Sequence, residues 1–189
     1  MVHRLVTCAV VLSTAFGVLQ ATKSGNVWRK LHRPLQLPQL APGDACPVSA
    51  VDSRIDWAAI NAFGGSGIGR GPAYPVTGPY SELTVRPDPQ YGGPWLSTKL
   101  FWYVRPQYRG PVLIRGRQLD GTHMLGFNGS ALPRRELHIH SRDTVGWRGQ
   151  PPGARGVPSS IRALVPGCYG VQIDGTRFSR VVVFRVTAG

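Results

Sequence analysis

Glu136, His138 and His140 occupy alternate positions in RRELHIHS. On an extended strand, side chains two residues apart share a face, so the three would line up. Neutral imidazoles with a carboxylate suit zinc or another first-row metal. An open coordination position on such an ion would activate water, the chemistry of a metal-dependent hydrolase. The ends of that triplet lie about 13 Å apart on a straight strand, so all three can share one ion only if the strand bends. His138 and His140 with His123 or His32 from elsewhere in the chain make an easier donor set. The competing reading is a solvated strand face carrying its histidines in a basic protein.

A second constellation combines rings with guanidinium groups. KLFWYV and PVLIRGRQ flank the turn RPQYRG and read as a hairpin. Alternation puts Leu100, Trp102 and Val104 on one face with Val112 and Ile114 beneath them. Phe101, Tyr103 and Arg105 then face the other way, joined by Arg115 and Arg117 from the partner strand. Aromatic faces and bidentate arginines suit a carbohydrate or an anionic polymer. Against this stands the reading that an extended segment covers that face and the arginines only fringe it.

Other local signals carry less chemistry. The glycine run from Gly64 to Gly71 could cradle an anion through its backbone N–H groups. It lacks the Gly-Lys-Ser/Thr ending of a nucleotide loop, with no strand before it and no helix after it, and reads as a loop. Ser66 misses the second glycine of a nucleophile elbow. Asn128-Gly129-Ser130 is a glycosylation sequon that matters only in a eukaryotic secretory route.

The elements that must position these residues are short and extended. LHRPLQLPQLAPGDACP spaces Pro34, Pro38, Pro42 and Pro47 almost regularly, which favours an extended arm over helix or central strand. Ser53 to Phe63 is the only stretch of helical character, with Ser53 and Asp56 resembling a capping box and Gly64-Gly65 as its stop. Strands are predicted at Leu83–Arg86, Lys99–Val104, Val112–Gln118, Glu136–His140, Ser160–Val165, Tyr169–Ile173 and Phe178–Thr187. Asp174-Gly175 marks a tight turn between the last two. Val181 to Phe184 is apolar at every position, as in a strand covered on both faces. The expected fold is all-β, an antiparallel sandwich with a proline-rich N-terminal arm and at most one short helix.

The N-terminus has the grammar of a secretory signal. His3 and Arg4 precede an apolar run from Leu5 to Phe16, and Ala15 and Gly17 stand at the spacing a signal peptidase needs. An alternative cut follows Ala21, and an uncleaved segment would serve as a membrane anchor. The organisation read from this is a signal over 1–17, an arm over 18–48 and one domain over 49–189. Removal of the signal leaves Cys46 and Cys168, which in an oxidising compartment are most simply a pair; two free buried thiols are the alternative. The net charge is +13, nearly all of the positive charge from arginine. Such a surface attracts polyanions, and export argues against nucleic acid as the partner.

LHRPLQLPQLAPGDACPVS, GPVLIRGRQLDG and VPGCYGVQIDGTRFSRVVVF together resemble segments of a family of small exported bacterial proteins with no assigned function. The resemblance covers roughly residues 28–186. It implies a bacterial envelope or secreted location and a Cys46–Cys168 bridge, and it carries over no catalytic residues. The closing hairpin is also similar to the last strands of immunoglobulin-like sandwiches. The reading that follows is a monomeric, non-enzymatic envelope module with no cofactor, which binds an anionic or carbohydrate polymer through Phe101, Tyr103, Arg105, Arg115 and Arg117. Its alternative is a zinc-dependent hydrolase centred on His138, His140 and Glu136.

Overall fold

The computed structural model describes residues 27–41, 43–78 and 81–189. The signal expected over 1–17, and the alternative cut after 21, lie outside the described residues. Ten strands form two layers: β1 (Ser66–Gly67), β2 (Ala73–Thr77), β3 (Glu82–Pro87), β4 (Leu96–Val104), β5 (Val112–Gln118), β6 (Gly126–Phe127), β7 (Glu136–Ile139), β8 (Arg155–Ala163), β9 (Gly167–Gly175) and β10 (Phe178–Ala188). One layer runs β1-β2-β4-β8-β6 and the other β3-β10-β9-β5-β7. Strand β3 belongs to both. Its end pairs antiparallel with Leu96 and Ser97 of β4, while Glu82 to Val85 run parallel to Arg185 to Ala188 of β10. The sheet is therefore mixed, with one parallel pair in an otherwise antiparallel arrangement.

The core follows from strand alternation. Leu100, Trp102 and Val104 of β4 meet Val112 and Ile114 of β5, Tyr169, Val171 and Ile173 of β9, and Val182, Phe184 and Val186 of β10. Two polar groups enter that core and both are satisfied, as burial requires. Trp102 Nε1 donates to Ser159 Oγ at 2.9 Å, and the Tyr169 hydroxyl donates to the Val165 carbonyl at 2.8 Å. The second bond ties the start of β9 to the preceding corner, as the tyrosine corner does in immunoglobulin sandwiches. Burial pushes the Tyr169 phenol up to about 12. Strands β4, β8, β10, β9 and β5 take the B, E, G, F and C places of that architecture. The short strands β6 and β7, and the added β1-β2 pair, depart from it.

The structure corrects several expectations. KLFWYV and PVLIRGRQ are not a hairpin: β4 pairs with β2, β3 and β8, and β5 with β7 and β9. Their apolar faces do meet, but across the sandwich, and residues 105–111 cross from one layer to the other. The helix expected over 53–63 is a single turn, α1 (Trp57–Ile60), capped by Asp56 Oδ1 accepting from the Ala59 N–H rather than by Ser53, and residues 27–31 form a second short helix at the start of the arm, where at most one was expected. Strand β2 lies in a segment whose proline and glycine content reads as loop. Pro75 is tolerated there because its carbonyl accepts from Ile68 N–H, which puts its missing N–H on the β1 side and leaves the ladder to β4 intact. The β9–β10 hairpin forms, with Thr176-Arg177 as its turn, two residues beyond Asp174-Gly175.

The proline-rich arm crosses the outer face of β5, β9 and β10. Leu37 packs with Leu119, Cys168 and Val183, and Leu40 and Cys46 lie against the same cluster. Gly170 eases this approach, because a Cβ there would crowd the Leu119 methyl groups. The Cys46–Cys168 disulfide fastens the far end of the arm to β9 and closes a loop of 122 residues. A loop of that size is worth about 4.7 kcal/mol in the chain-entropy account of cross-linking. Among the described residues no helix is long and apolar enough to cross a membrane.

Candidate functional site

Phe101, Tyr103, Arg105, Arg115 and Arg117 do not form one surface, because β4 and β5 lie in opposite layers. Phe101 and Tyr103 are buried on the outer face of the first layer beneath Trp57, Ile60, Ala62 and Trp147. Arg105, half-buried past the end of β4, lies beside Tyr74 and Tyr103. The two remaining arginines hold the arm. Arg117 donates to the carbonyls of Leu37 and Pro38 and to Gln39 Oε1, and Arg115 to the Arg33 carbonyl. Arg115 also pairs at 2.9 Å with Asp174, which is fully buried and takes Arg33 at 3.2 Å as well. Gln172 completes the network, donating to Asp174 and to the Pro34 carbonyl. The two arginines of β5 thus position the arm, and the five residues make no common contact face.

The histidines are gathered by the same arm. Glu136 and His138 point outward from β7, and Glu136 accepts from His32 Nε2 at 2.7 Å and from His138 Nε2 at 2.9 Å, through its two oxygens. Trp28 stacks on His138 with ring centroids 4.2 Å apart and meets His140 edge-on at 5.0 Å. Burial disfavours the Glu136 carboxylate most, but the hydrogen bonds from His138 and His32 outweigh it and hold the group below its ordinary range. His140 stands beyond the strand end, its backbone N–H bound to Asp143, and His123 remains in the β5–β6 loop. Among the described residues no group of three or more His, Cys, Asp or Glu is placed to hold a metal ion.

Two clefts of similar size lie among the charged residues, and the balance of their charges separates them. The first, about 570 Å³, runs beside β7 and presents Arg134 and Arg135 together with Glu136 and Asp143. Two guanidinium groups there face two carboxylates. The second, about 590 Å³, is lined by residues 49–54, Gly69, Arg70, Arg180 and Val181. Arg54, Arg70 and Arg180 converge on it against one carboxylate, Asp52.

Asp52 is pinned from every side. Its backbone N–H donates to the Gly67 carbonyl, and its own carbonyl accepts from Trp57 Nε1, so α1 and β1 fix the position. Arg54 grips the carboxylate in a fork, Nε to Oδ1 at 2.7 Å and Nη2 to Oδ2 at 2.6 Å. The Tyr74 hydroxyl donates to Oδ2 at 2.9 Å. The Arg54 hydrogen bond holds the Asp52 carboxyl far below the usual carboxylate range, against the opposing effect of burial and with help from Tyr74. Burial, then the bond to Asp52, pushes the Tyr74 phenol up to about 12, so it stays a donor. The Arg54 side chain remains 66% exposed. Asp52 thus spends its charge orienting one guanidinium, while Arg70 and Arg180 stay exposed at the rim. The arrangement can receive a phosphate, sulfate or carboxylate group through charge-assisted bonds.

Sequence reasoning missed this site. Its residues come from three distant segments, brought together by Ser49 N–H to the Val183 carbonyl, Gly69 N–H to the Ala50 carbonyl and the Val51–Ile68 bridge. The one available signal was Gly69-Arg70-Gly71, where the glycine run borders this cleft and contributes the Arg70 side chain to it.

Comparison with protein-family models, curated proteins and solved structures finds no match for this chain.

Proposed function

We propose that this protein is an exported, non-enzymatic module of the bacterial envelope that binds an anionic polymer through the Arg54–Arg70–Arg180 cleft. The observation that carries the reading is the Asp52–Arg54 fork. The fork fixes an exposed guanidinium on a carboxylate that stays ionised at neutral pH, which orders Arg54 in advance for an anionic partner. Arg70 and Arg180 line the same cleft, and among the described residues Asp52 is the one carboxylate that lines it. The disulfide is consistent with an extracytoplasmic location, and a densely negative envelope polymer is the partner a basic exported surface meets there.

A chain of net charge +13 attracts any polyanion to some degree. The test therefore needs a charge-matched control. Binding of polyphosphate and of polygalacturonate is measured at physiological salt, where exposed charges more than about 8 Å apart are largely screened. Arg70→Gln/Arg180→Gln is expected to weaken binding at least about tenfold, equivalent to about 1.4 kcal/mol. Arg142→Gln/Arg148→Gln removes the same charge elsewhere and is expected to change it less than threefold. Equal losses in the two variants would mean diffuse attraction and no site. Tighter binding of neutral dextran than of either polyanion would reject the anionic ligand.

A further inference from the structure

A third groove lies on the outer face of the first layer, away from the arginine cleft. It has a volume of about 390 Å³ and is lined by Phe63, Val76, Phe101 and Pro158, with Lys99 also on its lining. That size falls within the about 300–1,000 Å³ of small-molecule sites. The walls are apolar, yet one of them is held out of the core. Phe63 is 71% exposed and adopts φ +54°, a left-handed conformation that is unfavourable for a bulky aromatic. The turn that imposes it begins at Asn61, also left-handed, and continues to Gly64 at φ +74°. A loop that turns a phenyl ring toward solvent, edge-on to Phe101 at 4.9 Å, builds an aromatic wall rather than filling a core.

The polar part of the groove is as informative. No carboxylate lines it, and Lys99 makes no side-chain hydrogen bond or ion pair among the described residues. An apolar slot with a single unanswered ammonium at its mouth complements a molecule with a hydrocarbon body and one negative end. We infer that the groove binds an aliphatic carboxylate, with the chain between Phe63, Phe101 and Pro158 and the carboxylate on Lys99. This site is separate from the polymer cleft and does not depend on that reading.

Decanoate, kept below its micelle concentration, is the probe, and calorimetric titration of the disulfide-bonded protein is the measurement. One-to-one saturable binding is expected, with decan-1-ol weaker and decyltrimethylammonium weakest. Lys99→Gln should weaken decanoate at least fivefold and remove its advantage over the alcohol. Phe63→Gly relieves the left-handed backbone, so thermal stability should hold or rise while affinity falls; a purely structural role for Phe63 would give the opposite pair. Arg70→Gln/Arg180→Gln should leave decanoate binding unchanged. The inference is overturned if no saturable binding appears below about 1 mM, if the ammonium compound binds as well as decanoate, or if the arginine variant abolishes binding while Lys99→Gln does not.

Discussion

At the scale of single residues, Asp52 determines what the arginine cleft can do. Its two oxygens take Arg54 and Tyr74 and leave no lone pair directed at an incoming cation, so the cleft keeps a net positive character. Because the folded-state carboxyl is held below its unfolded value, the stability it contributes is complete above the unfolded value of about 3.9. That contribution declines as pH falls from there through the lowered folded value. Asp52→Asn turns an amide N–H₂ toward the guanidinium and loses a charge-assisted pair, expected to cost about 1.5–3 kcal/mol at neutral pH. Urea unfolding of both proteins between pH 7 and pH 2 checks this. The gap should stay constant down to about pH 4.5 and narrow only below it; a gap that closes near pH 6 would show that another group is responsible. A serine or leucine at position 52 would have looked equally at home in the sequence, because nothing local marks Asp52 as the partner of Tyr74, 22 positions away.

At the scale of elements, the arm and the outer face of β5 and β9 form one unit, and Asp174 is its pivot. The carboxylate is fully buried between Arg33 from the arm and Arg115 from β5. Asp174→Ala leaves the Arg115 guanidinium buried without its counter-charge, a change expected to destabilise the protein by about 3–5 kcal/mol. Denaturant unfolding with the disulfide intact measures it, and a loss below about 1 kcal/mol would contradict the pivot role. Seven strands were legible from alternation and β-branched content, with ends that moved by up to five residues at β8, where Arg155 to Ser159 extend the predicted Ser160 start. Strand β2 was not legible, because the pattern along the chain does not show that Pro75 forfeits only a bond on the short β1 side and leaves the ladder to β4 intact. The supposed β4–β5 hairpin failed for a different reason. Alternation predicts which side chains share a face, and that prediction held, but it is silent on whether two facing rows belong to one sheet or to two.

At the scale of the whole molecule, the sandwich, the disulfide and the docked arm were readable from composition, cysteine count and proline spacing. The contact surface was not. The residues assigned to one ligand face are split between the two layers, mostly beneath the arm and α1, whereas the arginine cleft is assembled from residues 52–54, 70 and 180, which share no pattern along the chain. Charge density alone could not locate it, since arginines are scattered over the entire surface. The most direct test is to follow the arginine Nε–H resonances by NMR while polyphosphate is titrated at physiological salt. Arg54, Arg70 and Arg180 are predicted to shift first and to saturate together, before Arg134, Arg135 and Arg142 respond. Shifts that grow in parallel over all the exposed arginines, with Arg54 still locked on Asp52 and unmoved, would contradict a built site and leave only the diffuse attraction of a basic protein.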